Sequence, residues 1–254
     1  MLNLIDRHKY ILKQLRETGH VNVQNLSAEL EVSDVTIRKD LKLLEDKNLL
    51  YRTHGGGYMK SPYTSDKPVD EKEHQAKTEK EKIAKEAAKL IDQNDSIIIA
   101  SGTTVLALAR MIKPQQHLTV ITSALNVALE LSHHQNVEVL QLGGQLRQNS
   151  SSVAGMYAEL ILQDVSCSIL FLGVDGIDAA GLTTTSLAEA HLNQKMMQAA
   201  QTTVVLADSS KFGRRGMGKI CALDQVQHII TDEGISANTI KLLESNGIKV
   251  TIAQ

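Results

Sequence analysis

Residues 31–48 read EVSDVTIRKDLKLLEDKN, and the fold is decided there. Glu31 to Ser33 form a turn, and Ser33 or Asp34 can cap the amides that open the next helix. Along that helix Ile37, Leu41 and Leu44 recur at i, i+4 and i+7 as one apolar stripe, while Val35, Arg38, Lys39 and Lys42 face away from it. A solvated charged face explains such a helix standing alone. The neighbouring sequence points elsewhere.

Upstream, Ile5, Ile11, Leu12 and Leu15 form a helical pattern stopped by Gly19, and Val23, Leu26 and Leu30 form a second, short one. Two helices, a turn at Glu31 to Ser33 and a third helix with a basic outer face make a helix-turn-helix, whose last helix enters the DNA major groove. Downstream, residues 49–52 read as a strand, and Thr53, His54 and Gly55 to Gly57 as a glycine-rich turn. Together they make a wing that sets Arg52 and His54 against sugar-phosphate or the minor groove.

The run Val35-Thr36-Ile37-Arg38-Lys39-Asp40-Leu41, with Leu26 and Leu30 before it and His54-Gly55-Gly56 after it, resembles the DNA-binding domain of the DeoR/GlpR family of bacterial sugar-metabolism repressors. The resemblance implies that Thr36, Arg38 and Lys39 lie at double-stranded operator DNA. It also implies that Asp40 ties the helix to its surroundings, since a carboxylate facing phosphates is repelled. The DNA-contact candidates are Ser33, Thr36, Arg38, Lys39, Lys42, Arg52 and His54.

At 254 residues the chain has room for a small and a medium domain. Its net charge is −2, with 10 Lys and Arg against 8 Asp and Glu in residues 1–60. Such a modest, local basic surplus suits specific rather than bulk nucleic-acid binding, and a dimer doubles the phosphate contacts. Aromatics make up 3% with no Trp, which excludes stacking of single-stranded bases as the binding mode. Cys167 and Cys221 sit in apolar runs without ligand-spaced partners, and the adjacent His133 and His134 cannot easily turn both rings to one ion, so neither a disulfide nor a metal site is expected. No leader-like or membrane-length apolar run is found, so a soluble cytoplasmic protein with no membrane association is expected.

Pro62 and Pro68 among Ser, Asp, Glu and Lys mark residues 59–78 as a linker between domains at 1–58 and 79–254. From Glu79 a charged helix carries Ile83, Ala87, Leu90 and Ile91 on one side. Beyond it, short β-branched runs at 96–100, 118–121, 137–140, 169–172, 203–206, 228–230 and 249–252 alternate with helical patterns at 105–111, 125–131, 187–200 and 237–244. This is an α/β domain with a parallel sheet, which binds ligands at the carboxyl ends of its strands.

The loops at those ends hold Ser101-Gly102-Thr103-Thr104, Thr122-Ser123, Gly143-Gly144 with Arg147, Gly173-Val174-Asp175-Gly176, and Asp208-Ser209-Ser210-Lys211. Small residues at a helix start cradle an anion, Arg147 and Lys211 meet a phosphate, and Asp175 and Glu189 accept from sugar hydroxyls. Each residue alone also has a structural reading: Asp208 as a turn cap, Glu189 as a partner within its own helix. The effector candidates are Ser101, Gly102, Thr103, Thr104, Thr122, Ser123, Gly143, Gly144, Arg147, Asp175, Glu189 and Lys211.

The same segments, with Gly181-Leu182-Thr183-Thr184, resemble the sensor domain of the DeoR/GlpR family. That resemblance implies a fold similar to ribose-5-phosphate isomerase and glucosamine-6-phosphate deaminase, and a phosphorylated sugar or amino sugar as effector. The combination of SGTT, LFLGVDGID, EAHLNQKM and DSSKFGRR is similar to the repressors of N-acetylgalactosamine and related amino-sugar catabolism. Ala100 and Ser123 stand where many members carry Asp and Asn. An isomerase reading is weakened at Leu172-Gly173-Val174-Asp175, where those enzymes carry paired aspartates in a D-G-A-D run, because a leucine cannot transfer a proton. A repressor without catalytic residues or cofactor is expected, acting as a homodimer or homotetramer on paired half-sites.

Overall fold

The computed structural model describes residues 3–47, 49–53, 55–58, 66–91 and 95–254. The chain divides into two compact units, Met1–Tyr63 and Thr64–Gln254. In the first unit, α1 (Leu4–Thr18), β1 (His20–Asn22), α2 (Val23–Glu29), α3 (Asp34–Asp46), β2 (Tyr51–Thr53) and β3 (Gly56–Tyr58) follow in order. Gly19 closes α1 in the left-handed region at φ 77°, and its N–H donates to the Leu15 carbonyl. Glu31 takes φ 51° in the turn between α2 and α3, and Ser33 Oγ then caps α3 by accepting from the Thr36 N–H at 3.2 Å. Ile11, Leu15, Leu26, Ile37, Leu41 and Leu44 fill the core. Each such side chain contributes about 1.5–3 kcal/mol by leaving water.

The wing differs from the sequence expectation. Gly56 and Gly57 lie within β3, and β1, which the sequence pattern did not mark, pairs with β3 to complete a three-stranded antiparallel sheet of order β1-β3-β2. Gly56 belongs there because a Cβ on it would lie 1.8 Å from the Val21 carbonyl oxygen. That approach hides a three-residue strand whose composition carries no strand signal.

The second unit is built on a seven-stranded sheet. Its strands are β4 (Ser96–Ile99), β5 (Leu118–Thr122), β6 (Val137–Gln141), β9 (Cys167–Gly173), β12 (Ala200–Leu206), β14 (His228–Thr231) and β15 (Lys249–Ile252). They lie in the order β15-β14-β12-β9-β4-β5-β6, and every adjacent pair is parallel. Ile97, Ile99, Val120, Phe171 and Val204 face one core, and Ile98, Ile121, Leu170, Leu172 and Val205 the other. This period of two explains why the strands read as continuous apolar runs.

Helices α4 (Val69–Glu73), α5 (Lys77–Ala88), α6 (Thr103–Met111), α7 (Leu125–Leu131), α8 (Met156–Gln163), α9 (Leu187–Ala199) and α10 (Ala237–Ser245) accompany the sheet. A hairpin of β7 (Gln145–Arg147) and β8 (Ser152–Ala154) and a small antiparallel sheet of β10 (Gly176–Asp178), β11 (Gly181–Thr184) and β13 (Gly218–Cys221) stand beside it. Strand succession runs outward from β4 through β5 to β6, then resumes on the other side of β4 with β9. The order therefore reverses between β4 and β9, which is where a parallel sheet opens a crevice for a ligand.

Of the stretch read as a linker, 59–78, the described residues 66–78 belong to the second unit. Val69 on α4 is buried, and α5 starts at Lys77 and stops at Ala88, before Leu90 and Ile91. Proline and charge imitate a linker here because the segment packs through one apolar residue and a few ion pairs.

Candidate functional site

In the first unit, Val35, Arg38, Lys39 and Lys42 are all exposed on α3, opposite the buried Ile37, Leu41 and Leu44. Thr36 lies beside its cap Ser33, with hydroxyls 3.0 Å apart. Arg38 is held loosely, 3.7 Å from Asp34 one turn earlier. Asp40 is the exception on this helix, being 1% exposed. It accepts from Arg7 Nε at 2.7 Å and Nη2 at 3.1 Å, so it fastens α3 to α1. Arg52 is exposed on β2 and its backbone N–H donates to Glu45 at 3.0 Å. His54 lies outside the described residues.

In the second unit, the loops after β4 and β9 meet at the sheet's reversal point: a Cβ on Gly173 would lie 2.9 Å from the Ser101 carbonyl oxygen. Gly102, at φ 129° with open space around it, opens α6. Its conformation favours glycine and leaves the helix amides approachable.

Around this point charged side chains from distant parts of the chain converge. Ser101 Oγ donates to Glu189 Oε1 at 2.7 Å, and Arg147 Nη1 lies 3.4 Å from Glu189 Oε2. Lys72 Nζ donates to Asp175 Oδ1 at 3.0 Å. The Thr184 hydroxyl and the Thr185 N–H donate to Asp175 Oδ2 at 3.0 and 3.1 Å. Asp66 accepts from Arg147 Nη2 at 3.1 Å, Asn149 Nδ2 at 3.2 Å and Thr185 Oγ1 at 3.1 Å.

Electrostatics follow from that placement. Burial pushes the Glu189 carboxyl up, the Ser101 hydrogen bond and Arg147 oppose it, and the Asp175 charge adds to it. Burial also pushes Asp175 up, but Lys72, through charge and hydrogen bond, and Lys211 outweigh it and hold the group below the usual carboxylate range. Lys80 on α5 is 4% exposed, and burial brings its pKa down to about 8 against the opposing pull of Asp208. Arg147 Nη1 is shielded from solvent and makes no hydrogen bond, because its approach to Glu189 is an ion pair without hydrogen-bond geometry. A shielded donor without an acceptor is uncommon in folded proteins and suits a ligand atom.

Of the effector candidates, the structure brings together Ser101, Arg147, Asp175 and Glu189 by contact, Gly102, Thr103 and Thr104 by adjacency, and Lys211 through its charge. Thr122 and Ser123, both buried, have structural uses: Thr122 Oγ1 accepts from the Ala124 N–H at 3.0 Å, and the Ser123 carbonyl from the Val153 N–H at 2.9 Å. Gly144, at φ 146°, is where the Ala154 carbonyl passes 2.6 Å from a would-be Cβ, so it shapes the β7-β8 hairpin, while Gly143 beside it is exposed. Among the described residues these four make no hydrogen bond to the charged cluster.

Asp66, Lys72, Lys80, Asn149 and Thr185 were not expected. Lys80 had a signal, since it falls on the same helical stripe as Ile83, Ala84 and Ala87. Asp66 and Lys72 had none, because their partners are far away in the chain.

A winged helix-turn-helix unit and a parallel-sheet unit with a polar cluster at its reversal point define a ligand-responsive DNA-binding regulator. Residues 7–62 match the family described as DeoR-like helix-turn-helix domain, and residues 75–233 the DeoR C terminal sensor domain. The chain belongs to the DeoR family of transcription regulators. It is 37% identical over 97% of its length, and 93% of the other's, to a putative aga operon transcriptional repressor of Escherichia coli O157:H7. It is 31% identical to a glycerol-3-phosphate regulon repressor of Haemophilus influenzae over 89% of each chain. Ribose 5-phosphate isomerase A of Methanocaldococcus jannaschii aligns with 54% of this chain and 55% of its own at a TM-score of 0.39 and 17% identity, a distant likeness. The two repressors are named as transcription regulators, and with both family domains present this chain is a transcription regulator. Among the described residues no helix is long and apolar enough to cross a membrane, and no group of three or more His, Cys, Asp or Glu could hold a metal ion.

Proposed function

We propose that this regulator represses a sugar or amino-sugar catabolic operon and leaves its double-stranded operator DNA when a phosphorylated sugar binds the second unit. The observation that carries the reading is Arg147 Nη1, a shielded donor without a hydrogen bond among the described residues, within a cluster where Asp175 and Glu189 accept from the hydroxyls of Thr184 and Ser101. A phosphorylated polyol asks for that mixture of cation, carboxylate and hydroxyl. A relative named as a glycerol-3-phosphate regulon repressor supports a phosphorylated polyol as the class of effector. On the DNA side, Thr36, Arg38, Lys39 and Lys42 present the α3 face to the major groove while Arg52 reaches sugar-phosphate or the minor groove from the wing. Paired half-sites call for a homodimer or homotetramer in the cytoplasm.

For release, the effector must prefer the DNA-free state by about 1–3 kcal/mol. The test is a thermal-shift screen against galactosamine-6-phosphate, N-acetylgalactosamine-6-phosphate, tagatose-1,6-bisphosphate and glycerol-3-phosphate, with product analysis and promoter-DNA displacement. A sugar that stabilises the protein, is not consumed and displaces it from its promoter is the expected outcome. Conversion of the sugar, or no binding by any of the panel, overturns the reading.

A further inference from the structure

We propose that Asp66 is a built-in competitor of the effector: its carboxylate occupies, on Arg147, Asn149 and Thr185, the place of an anionic effector group, so binding displaces Asp66 and the residues that lead from it into α4. The inference rests on the phosphosugar reading above and adds the means by which binding is felt outside the site.

Among the described residues, the hydrogen bonds to the Asp66 carboxylate come from donors of the candidate site: a guanidinium, an amide and a hydroxyl. A cation with neutral N–H and O–H donors is also what a phosphoryl oxygen takes. The Asp66 side chain is 35% exposed and the Arg147 side chain 15%, so the carboxylate caps the guanidinium from the solvent side, where a ligand arrives. Partly exposed ion pairs are weak, so the carboxylate can leave at small cost. The chain beyond Asp66 is seated more firmly. Val69 is buried, Lys72 reaches Asp175 at 3.0 Å, and Lys80 Nζ holds the Lys72 carbonyl at 2.6 Å. The segment thus has a fixed end at α4 and a releasable end at Asp66, which precedes α4 in the sequence.

If the site is usable only when Asp66 is off, the apparent effector affinity is reduced by the fraction of molecules in which Asp66 is on. Replacing Asp66 by Asn removes the competing charge with little change of shape. A change of overall charge alone would also favour anions, so Asp70→Asn serves as the control: Asp70 lies exposed on α4 and carries the same charge.

The experiment titrates inorganic phosphate into the full-length wild-type, Asp66→Asn, Asp70→Asn and Arg147→Gln proteins by calorimetry, with hydrogen exchange followed over residues 66–73. The expected result is phosphate binding on the order of tenfold tighter for Asp66→Asn, unchanged for Asp70→Asn and lost for Arg147→Gln. Protection of the Lys72 amide, which donates to the Pro68 carbonyl at the releasable end at 3.2 Å, should fall when phosphate is added to wild type, and be low from the start in Asp66→Asn. Equal or weaker binding by Asp66→Asn, or equal gains from both Asn variants, overturns the competitor while leaving the phosphosugar site standing. Absence of binding by wild type and Asp66→Asn alike, or binding that survives Arg147→Gln, overturns both.

Discussion

Lys80 Nζ on α5 donates to the backbone carbonyl of Lys72 on α4 at 2.6 Å, which puts a buried ammonium beneath the candidate effector site. Burial, chiefly, lowers its pKa to about 8; Asp208 and Glu73 oppose this, and Lys211 and Lys72 add to it. Because the folded value lies below the ordinary lysine value of 10.5, the folded protein binds fewer protons than the unfolded chain between the two. The cost of the buried charge is therefore fully present below about pH 8 and is relieved as pH rises toward 10.5. An anion bound nearby favours the charged form. Phosphate binding at about pH 8.5 should then take up protons, seen as a dependence of the calorimetric heat on the ionisation enthalpy of the buffer. Lys80→Met should abolish that dependence and destabilise the second unit by about 1–3 kcal/mol, the cost of a stranded carbonyl. Uptake that persists in Lys80→Met would assign the proton to another group.

Arg38→Ala should weaken operator binding by about 1–3 kcal/mol if Arg38 reads a base edge. Its exposed contact with Asp34 at 3.7 Å is worth less than about 1 kcal/mol, so folding and phosphosugar binding should not change. Lys39→Ala should act differently, lowering affinity evenly across sequences and reducing the slope of log K against log salt by about one contact. Fluorescence anisotropy at several salt concentrations separates the two. An Arg38→Ala protein with normal operator affinity would remove that side chain from the interface.

Lys211→Ala should leave operator binding intact and abolish release by the phosphosugar, because Lys211 stands outside the hydrogen bonds that hold the cluster together and acts on Asp175 through charge alone. Full induction of the variant in a promoter-displacement assay would count against Lys211 as a phosphate contact.

Glu189→Gln tests the opposite sign. Since burial raises the Glu189 pKa, its charge costs stability above the folded pKa, and that cost disappears as pH falls through it toward the unfolded value. Gln keeps an oxygen for the Ser101 hydroxyl and carries no charge. At pH 7 the variant should melt at the same or a higher temperature than wild type, yet bind the phosphosugar more weakly. A lower melting temperature with unchanged sugar binding would make Glu189 a structural partner of Arg147 only.

The two halves of the molecule were unequally legible in the sequence. The α3 stripe of Ile37, Leu41 and Leu44 could be read because helical periodicity is local, and the sheet strands because burial on both faces leaves unbroken apolar runs such as Ile97 to Ile99. Ser101, Asp175, Arg147 and Glu189 could be proposed because strand-end loops converge in a parallel sheet. Asp66 and Lys72 could not, since a charged, proline-flanked segment has the same composition whether it is solvated or bound to partners far along the chain. β1 was hidden for a related reason: its pairing depends on Gly56 allowing an approach to the Val21 carbonyl, a long-range fit that neither strand announces.

Asp40 offers the sharpest test of how the DNA-binding unit holds its reading helix. It is 1% exposed, and Arg7, whose own pKa is raised by the Asp40 hydrogen bond and charge against the opposing pull of burial, supplies bonds to it at 2.7 and 3.1 Å. Removing one partner of a buried pair costs about 3–5 kcal/mol. That is a large fraction of the stability of a unit this small. Asp40→Leu should therefore unfold the first unit at a much lower urea concentration while the second keeps its midpoint. Of the five tyrosines, Tyr10, Tyr51, Tyr58 and Tyr63 belong to the first unit and Tyr157 to the second, so tyrosine fluorescence reports mainly on the former. The double variant Arg7→Met with Asp40→Leu replaces both charges by apolar groups and should recover most of the loss. If the single variant unfolds with the wild-type midpoint, the Arg7–Asp40 pair does not anchor α3, and the position of the reading helix depends on the Ile37, Leu41 and Leu44 stripe alone.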